Sequence, residues 1–357
     1  MMQHGSTEMG KGGVWMDTVR LGRTELRVSR IGFGGIPIQR VSDEDAQRVL
    51  RRTLDLGVTF FDTAYGYGTS EERVGEALCE ERDRIILATK TPGRDRATAL
   101  QHLELSLKRL RAGVIDLWQL HNVSSEETYG KVVGPGGALE AAHEALRDGV
   151  VRHIGLTSHS MDIAVKAVTS NLFETIQFPF NYVTREAEEH LIPLAGKHDV
   201  GFIGMKPFAG GLLDDARLSI KYVLQWDNVV PDPGIETVAD IEGIIEVLTG
   251  DRRLTDADRE AIGRVRREVG HRFCRRCGYC LPCPAEVPIP VALNIRSFIR
   301  RLPEAEILEG GIADVAARAA GCQRCGDCET RCPYGLPIRE MLVENVAVFE
   351  ALKASHA

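Results

Sequence analysis

The chain has 357 residues, of which 43% are hydrophobic and 27% are charged, as in an ordinary globular protein. One α/β barrel uses about 250 residues, so the length predicts a large domain together with a small one. The formal net charge of −7 argues against a nucleic-acid partner, because proteins that read nucleic acid present a basic surface to phosphate.

The N-terminal segment, residues 1–16, is rich in glycine and polar side chains and contains no apolar stretch of the length that a secretory signal requires. We expect this segment to form a loose tail. No apolar run in the chain approaches the roughly 20 residues of a membrane helix. We therefore expect a cytoplasmic protein whose partners include neither nucleic acid nor a membrane.

Short apolar runs alternate with longer amphipathic stretches between residues 21 and 270. The runs have the length of buried strands, although the last of them is weakly marked. Eight such runs are present, at residues 31–34, 59–62, 85–89, 115–120, 153–156, 174–177, 200–205 and 228–230.

Helical periodicity occurs between these runs, with apolar residues at intervals of three and four positions. Alternation of strand and helix indicates a parallel sheet, and eight such units predict closure as a (β/α)8 TIM barrel over residues 17–270. Examples of the helical stretches are residues 43–56, 97–110, 138–148 and 186–198.

An open, doubly wound α/β sheet is the alternative fold, because the eighth strand is poorly marked. In sheets of that kind that bind dinucleotides, a G-x-G-x-x-G turn opens the helix after the first strand. Here the glycine-rich residues 32–35 are followed by Ile36 and Pro37 instead, which weakens the alternative.

The character of the sequence changes after residue 270, where cysteines and prolines accompany two amphipathic stretches at residues 291–302 and 304–320. Residues 276–289 are repeated as residues 324–338 with one inserted residue. Two copies of one motif predict two equivalent metal sites. We expect residues 271–357 to form a small, mainly helical domain that ends in a C-terminal helix.

Eight of the nine cysteines lie after residue 273, and their close spacing indicates metal. The second run of four, residues 322–333, has the spacing C-x2-C-x2-C-x3-C-P of bacterial ferredoxins, in which the fourth cysteine ligates the other cluster. The first run, residues 274–284, repeats this arrangement with one residue fewer before its last cysteine. The ninth cysteine, Cys79, is expected to be a small buried residue.

Crossed ligation, applied to both runs as a hypothesis, predicts two 4Fe-4S clusters in a ferredoxin-like iron–sulfur domain. Zinc is the rival metal because it also binds four thiolates, but zinc sites usually pair two C-x-x-C motifs across a longer gap. The first predicted set is Cys274, Cys277, Cys280 and Cys332, and the second is Cys322, Cys325, Cys328 and Cys283.

Four segments, at residues 21–35, 61–68, 88–90 and 116–121, together resemble the aldo/keto reductase family. The resemblance spans about residues 18–250, and the cysteine-rich tail resembles the subgroup with a ferredoxin-like extension. It implies an oxidoreductase that acts on a small carbonyl or alcohol substrate. It also implies a nicotinamide cofactor.

Four polar residues are expected to meet at one mouth of the barrel, since catalytic groups gather where parallel strands end. Asp62, Lys90 and His121 each end a predicted strand, and Tyr67 lies in the loop after Asp62. A carbonyl that accepts hydride needs a proton, which we expect from Tyr67. Lys90 would lower the pKa of Tyr67, Asp62 would keep Lys90 charged, and His121 would orient the substrate oxygen.

The resemblance further implies that Thr157, Ser158 and Gln177 hold the carboxamide of the nicotinamide. Met205 stands where an aromatic side chain usually stacks on the nicotinamide ring, and a thioether packs there less selectively. Lys206, beside it, is expected to pair with a pyrophosphate or with the substrate.

Residues 233–242 correspond to the segment that grips the adenosine end, where relatives place a basic residue against the 2′-phosphate of NADPH. Asp240 falls at that position, with Glu236 close by, and carboxylates repel phosphate. NADH, NADPH and the absence of any nicotinamide therefore all stay open at this point.

Three functions follow from these patterns. The first is an oxidoreductase that moves hydride at the barrel mouth and exchanges electrons through the clusters. The second is a nicotinamide-independent reductase that receives electrons from a ferredoxin-like redox protein. The third is an ordinary NAD(P)H reductase whose cysteine module is a structural element or a docking surface.

Overall fold

The computed structural model describes residues 7–9 and 15–356. The chain divides into two compact units, of which the first comprises Met1–Phe208 and Asp215–Leu254 and the second comprises Ala209–Asp214 and Thr255–Ala357. Within the described residues, no helix is long and apolar enough to cross a membrane.

A small antiparallel sheet precedes the barrel, and its central strand pairs with both of its neighbours. The sequence patterns did not predict it. Within the predicted loose tail, residues 1–6 and 10–14 lie outside the described part of the chain, and the others belong to strands. The strands are β1 (Thr7–Met9), β2 (Trp15–Arg20) and β3 (Arg27–Ser29).

The first unit then forms a barrel of eight parallel strands that lie side by side in chain order. Each strand pairs with the next, as the alternation of strands and helices predicted. The strands are β4 (Gly32–Gly34), β5 (Phe60–Asp62), β6 (Ile86–Thr91), β7 (Ile115–Leu120), β8 (Val151–Thr157), β9 (Thr175–Pro179), β10 (Gly201–Met205) and β11 (Val229–Asp232).

Backbone hydrogen bonds connect the first barrel strand to the segment after the last. Gly34 N donates to Pro233 O at 2.8 Å, and Ile235 N donates to Gly34 O at 3.4 Å. A Cβ atom on Gly34 would lie 2.7 Å from Pro233 O, so glycine is needed for this close approach. The (β/α)8 prediction is confirmed, and the open-sheet alternative is wrong.

Apolar side chains of the N-terminal sheet pack into the end of the barrel where the strands begin. This cluster buries Val19 and Leu21 from the sheet segment against Phe60 and Ile203 from the barrel strands. That end of the barrel interior is thereby filled with apolar side chains.

Helices follow the barrel strands, and several begin at a side chain that caps the first turn, as Ser42 does for Asp45 N. The stretch predicted as one helix over residues 186–198 is a π-helical turn, Ala187–Leu191, followed by a short α-helix. The helices are α1 (Asp43–Asp55), α2 (Ser70–Leu78), α3 (Arg96–Arg109), α4 (Glu126–Val133), α5 (Ala138–Arg147), α6 (Met161–Thr169), α7 (Ile192–Lys197), α8 (Ala216–Val223) and α9 (Val238–Thr249).

The second unit is helical, as predicted, and its apolar side chains form two small cores. One core surrounds Phe349 of the last helix, and the other surrounds the cysteine-bearing loops. The helices are α10 (Asp256–Val269), α11 (Ile289–Ala292), α12 (Ile295–Ile299), α13 (Glu304–Leu308), α14 (Gly311–Ala320), α15 (Asp327–Thr330) and α16 (Ile338–Ala354).

Candidate active site and metal centres

The barrel brings the four predicted catalytic side chains together at the ends of β5, β6 and β7. Asp62 is the last residue of β5, Lys90 lies in β6 and His121 directly follows β7. Tyr67 lies in the loop between β5 and α2. Neighbouring parallel strands end at the same edge, which is why residues far apart in the chain meet there.

A buried ion pair forms the base of this site. Lys90 Nζ donates to Asp62 Oδ2 at 2.5 Å and to the carbonyl oxygen of Thr63 at 2.8 Å. The side chains of Lys90 and Asp62 are only 1% and 2% exposed. Asp62 also accepts hydrogen bonds at 3.0 Å from the amide groups of Gln119 and Gln177. Both charges are therefore fixed in position inside the barrel.

The protonation state of Lys90 follows from two opposing effects. Burial lowers its pKa, but the acidic groups around it, of which Asp62 has the largest effect, together raise it above the ordinary value of 10.5. The lysine therefore carries its positive charge at neutral pH despite its burial.

Tyr67 and His121 lie closer to the solvent than this ion pair. Lys90 Nζ is 4.9 Å from the centroid of the Tyr67 ring. The Tyr67 and His121 rings meet edge to face, with centroids 5.7 Å apart. Both side chains are half-buried. A substrate oxygen at the mouth can thus approach a phenol and an imidazole while the charged groups stay beneath them.

Arg94 fixes the turn that carries His121, and the sequence patterns did not single it out. Its Nη1 donates to the carbonyl oxygen of His121 at 2.7 Å, and its Nη2 donates to that of Asn122 at 3.0 Å. Asn122 has a φ of 52°, a left-handed conformation that asparagine tolerates. In the sequence Arg94 is one basic residue in a loop, and this feature is too common to indicate a role in the site.

The three residues expected at the nicotinamide carboxamide are almost fully buried: Thr157 ends β8, Ser158 follows it, and Gln177 lies within β9. Thr157 Oγ1 accepts from Asn122 N at 2.7 Å, and Ser158 Oγ donates to Ser160 O at 3.1 Å. Gln177 Oε1 is buried and has no hydrogen-bond partner among the described residues. An amide ligand could donate its NH2 group to this oxygen, so the site fits a carboxamide.

Met205 and Lys206 lie at the end of β10, beside these residues. Met205 is half-buried. Lys206 has a φ of 60°, and its carbonyl oxygen accepts a hydrogen bond from Asn181 Nδ2 at 3.0 Å. Lys206 Nζ lies 2.8 Å from His159 Nε2. The mouth therefore presents an amine and an imidazole side by side.

The two carboxylates of the expected adenosine segment have defined partners. Asp240 accepts from the backbone N–H of Thr237 at 2.8 Å and belongs to the capping box that begins α9. Glu236 forms an ion pair with Arg40 at 3.6 Å, and burial raises the pKa of Glu236 in spite of Arg40. Arg40, from the segment after β4, is a basic residue that sequence reasoning did not associate with this site.

Asp232, the last residue of β11, is a further acidic group that sequence reasoning missed. Its side chain is almost fully buried, and Asp232 Oδ2 accepts a hydrogen bond from Gln177 Nε2 at 3.0 Å. Burial, reinforced by the charge of Asp62, raises the pKa of Asp232 well above 3.8. The sequence feature that could have identified Asp232 is an acidic residue at the end of the weakly marked eighth strand.

The cysteines of the second unit line two separate cavities. Each cavity combines three cysteines of one run with the last cysteine of the other, which is the arrangement expected from crossed ligation. Cys274, Cys277, Cys280 and Cys332 line the first, and Cys283, Cys322, Cys325 and Cys328 line the second.

The two cysteine loops follow the same backbone course, so the sequence repeat is also a structural repeat. Arg276 and Arg324 occupy equivalent positions, with φ values of 63° and 56°. Two positions later, Gly278 and Gly326 have φ values of 85° and 90°. Residues without a Cβ atom adopt this conformation readily, which allows each loop to wrap around its cavity.

The donor set fits iron–sulfur clusters. All eight thiols are free of disulfide bonds. In the described part of the chain, no three His, Cys, Asp or Glu side chains are grouped closely enough to hold a single metal ion. Each set of four thiols lines one cavity. A cluster of several irons needs this arrangement, whereas a single tetrahedral zinc ion does not.

Two family models match the chain in separate regions. The model described as "Aldo/keto reductase family" matches residues 30–231, and the model described as "4Fe-4S dicluster domain" matches residues 273–336. The first match covers the barrel strands, and the second covers both cysteine runs.

Curated relatives resemble the chain over the barrel region. The uncharacterized oxidoreductase YqkF of Bacillus subtilis is 30% identical over 251 residues, which are 66% of this chain and 79% of that protein. The aldo-keto reductase YhdN of the same organism is 31% identical over 237 residues, 60% of this chain and 68% of that protein.

Solved structures resemble the same region. The holo form of an aldo-keto reductase from Bacillus halodurans has a TM-score of 0.62 and 25% identity, and the match covers 70% of this chain and 96% of that one. An aldo-keto reductase from Klebsiella pneumoniae, solved in complex with NADPH, has a TM-score of 0.61 and 22% identity over 70% of this chain and 95% of its own. The likeness in both cases is one of fold.

Proposed function

Because the chain belongs to the aldo/keto reductase family and carries a 4Fe-4S dicluster domain at its C-terminus, we propose that it interconverts a small carbonyl and its alcohol at the barrel mouth and exchanges electrons through two 4Fe-4S clusters. The observation that carries the proposal is the buried Lys90–Asp62 pair beneath Tyr67, with Lys90 Nζ 4.9 Å from the ring centroid.

Tyr67 is the acid and base of the proposed reaction. During reduction the phenol gives its proton to the substrate oxygen, and the positive charge of Lys90 stabilises the phenolate that is left. Asp62 holds Lys90 in place, and the half-buried His121 hydrogen-bonds the same oxygen and orients it. In the oxidation direction the phenolate accepts the proton of the alcohol.

A nicotinamide cofactor, when bound, supplies or accepts the hydride. Gln177, Thr157 and Ser158 would hold its carboxamide, and Met205 would pack against its ring. Lys206 would meet a phosphate of the cofactor or an anionic substrate. The buried Gln177 Oε1, which has no partner in the described structure, supports this assignment.

Two sets of four cysteines would hold the clusters, one on Cys274, Cys277, Cys280 and Cys332, the other on Cys283, Cys322, Cys325 and Cys328. Each cluster would supply one electron at a time. We assign the reductase to residues 17–270 and the cluster domain to residues 271–357; α10 (Asp256–Val269), at the end of the first span, belongs to the compact unit that carries the cysteines. A small redox protein is the proposed second partner.

A structural role for the clusters is the second candidate, and one observation favours it. The cysteine cavities pack against an apolar core that includes Val287, Ile289 and Leu336, so metal binding would contribute to the folding free energy of this unit. In that case the barrel would turn over without any change in the oxidation state of the iron.

Anaerobic titration distinguishes these functions. Purified protein is titrated with NADPH, NADH and dithionite while nicotinamide fluorescence and the visible absorption of the clusters are recorded. Bleaching by a reduced nicotinamide supports the proposed function. Nicotinamide binding without bleaching supports the structural role. Bleaching by dithionite alone, with no nicotinamide binding, contradicts both and leaves a reductase fed by a redox protein.

A further inference from the structure

The barrel interior contains two carboxyl groups and one ammonium group in a single hydrogen-bonded chain. Gln177 Nε2 donates at 3.0 Å both to Asp62 Oδ2 and to Asp232 Oδ2. Asp62 in turn accepts from Lys90 Nζ at 2.5 Å. The residues Asp62, Asp232 and Lys90 are 3%, 6% and 1% exposed, so water cannot compensate their charges.

If both carboxyls were ionised, this buried group would have a net charge of −1. An uncompensated charge is costly in a medium of low dielectric constant, whereas a protonated carboxyl is neutral and can donate. Asp232 Oδ1 is buried with no hydrogen-bond partner in the described chain. Burial and the charge of Asp62 both raise the pKa of Asp232.

The sheet leaves space for this carboxyl. Asp232 lies on β11 between β4 and β10, and a Cβ atom on Gly32 of β4 would be 3.1 Å from Asp232 Oδ1. The register partner of Asp232 on β10 is Met205, which carries no charge. The charged groups with the largest effect on Asp232 are Asp62 of β5 and Lys90 of β6.

We propose that Asp232 is a positioning residue that is protonated at neutral pH, and that it acts through Gln177 and Asp62 on the charge that Lys90 presents to Tyr67. This rests on the proposed function, in which Tyr67 is the acid and base. While Asp232 is neutral, one carboxylate faces one lysine. When Asp232 ionises, a second negative charge faces Lys90 and disfavours the phenolate.

Two measurements test the proposal without turnover or cofactor. The infrared difference spectrum of wild type against Asp232→Asn at neutral pH should show the carbonyl band of one protonated carboxyl, lost in the variant. Ultraviolet titration of tyrosinate, each protein compared with its own Tyr67→Phe counterpart, should place the midpoint of Tyr67 about one pH unit lower in Asp232→Asn, because the second charge cannot form there.

Asp116→Asn is the matched control. Asp116 is another buried carboxylate of the barrel, held near the opposite end of β7 by Arg82 and Arg152 at 2.6 and 2.5 Å. The infrared spectrum of Asp116→Asn should still contain the carbonyl band of the protonated carboxyl, and the titration midpoint of Tyr67 in this variant should equal that of the wild type. Asp232→Leu, an apolar replacement of similar volume, provides the same two readouts if the asparagine variant does not fold.

A missing infrared band, or a Tyr67 midpoint that is equal in wild type and in the folded Asp232 variant, would overturn the proposal. Neither readout needs a substrate. A protein without carbonyl reductase activity would therefore contradict the proposed function while leaving the result on Asp232 intact.

Discussion

Lys90 Nζ lies 2.5 Å from Asp62 Oδ2 in the barrel interior, and neither side chain is more than 2% exposed. A pair of this kind adds little net stability compared with apolar residues, but the removal of one partner leaves an uncompensated buried charge. This asymmetry allows the stability of the barrel to be separated from its chemistry.

Replacement of Lys90 alone should therefore unfold the barrel more easily. We expect Lys90→Met to lower the free energy of unfolding by about 3–5 kcal/mol, as measured by urea denaturation. The double variant Lys90→Met with Asp62→Leu should recover most of that loss and still lack carbonyl reductase activity. A double variant as unstable as the single one would contradict this account of the pair.

Replacement of the tyrosine tests the proton donor directly. Tyr67→Phe should lower kcat for carbonyl reduction by about 10²–10⁴-fold, because general acid catalysis contributes about this much, and should change KM little. Tyr65→Phe is the control. Tyr65 stacks on His102 with ring centroids 3.7 Å apart and should retain full activity when its hydroxyl is removed. Equal activity of both variants would exclude Tyr67 as the acid.

The buried Asp232 should make stability depend on pH. Its native pKa is raised above the value of about 3.9 that an unfolded aspartate has. Its contribution is thus fully present below that unfolded value and is lost as the pH rises to and through the native pKa. Unfolding midpoints measured across pH should show this decline in wild type and not in Asp232→Asn. Parallel curves would contradict the raised pKa.

Pairs of cysteine variants test the crossed ligation. Cys277→Ala with Cys332→Ala removes two ligands of one proposed cluster, so about half of the iron and acid-labile sulfide should stay bound. Cys277→Ala with Cys283→Ala removes one ligand from each proposed cluster. This double variant should therefore retain less iron and less acid-labile sulfide than the first one. The opposite ranking, measured on anaerobically reconstituted protein, would show that each run holds its own cluster.

The ion pair between Glu236 and Arg40, with a separation of 3.6 Å, should influence the choice of cofactor. Glu236→Gln removes a carboxylate that would repel a 2′-phosphate and releases Arg40 to attract one. We expect the Kd for NADPH to fall relative to that for NADH by about tenfold, or 1.4 kcal/mol, in a fluorescence titration. Arg40→Gln should shift the ratio in the opposite direction, and an unchanged ratio in both variants would place the adenosine end elsewhere.

Most of the barrel could be predicted from the sequence. The eight apolar runs coincide with β4 to β11, because the burial of a strand on both faces is recorded in consecutive apolar residues. Even the weak run at residues 228–230 is a strand, Val229–Asp232. The N-terminal sheet was missed because its strands β1 and β3 have three residues each, too few to show a period.

The candidate site was predicted only in part. Tyr67, Lys90, Asp62 and His121 stand in segments that the family resemblance identifies, and their roles stay predictions. Arg94, Arg40 and Asp232 carry no motif, because each acts through one contact with a distant segment. Asp240 was expected to stand at the 2′-phosphate position and to repel that phosphate, and its carboxylate caps α9. A capping residue and a ligand-binding residue of the same type cannot be distinguished by spacing.

The sequence by itself determined the features that depend on near neighbours: the strand and helix periodicities, the two cysteine spacings and the repeat that relates them. Only the tertiary structure decided which ionisable groups, far apart in the chain, lie close enough to affect one another's charge. Gln177 is 115 residues from Asp62 and 55 residues from Asp232, and it bonds to both. The physical reason is barrel closure, which brings the first and last strands together and places a second carboxyl beside the Lys90–Asp62 pair in the buried interior.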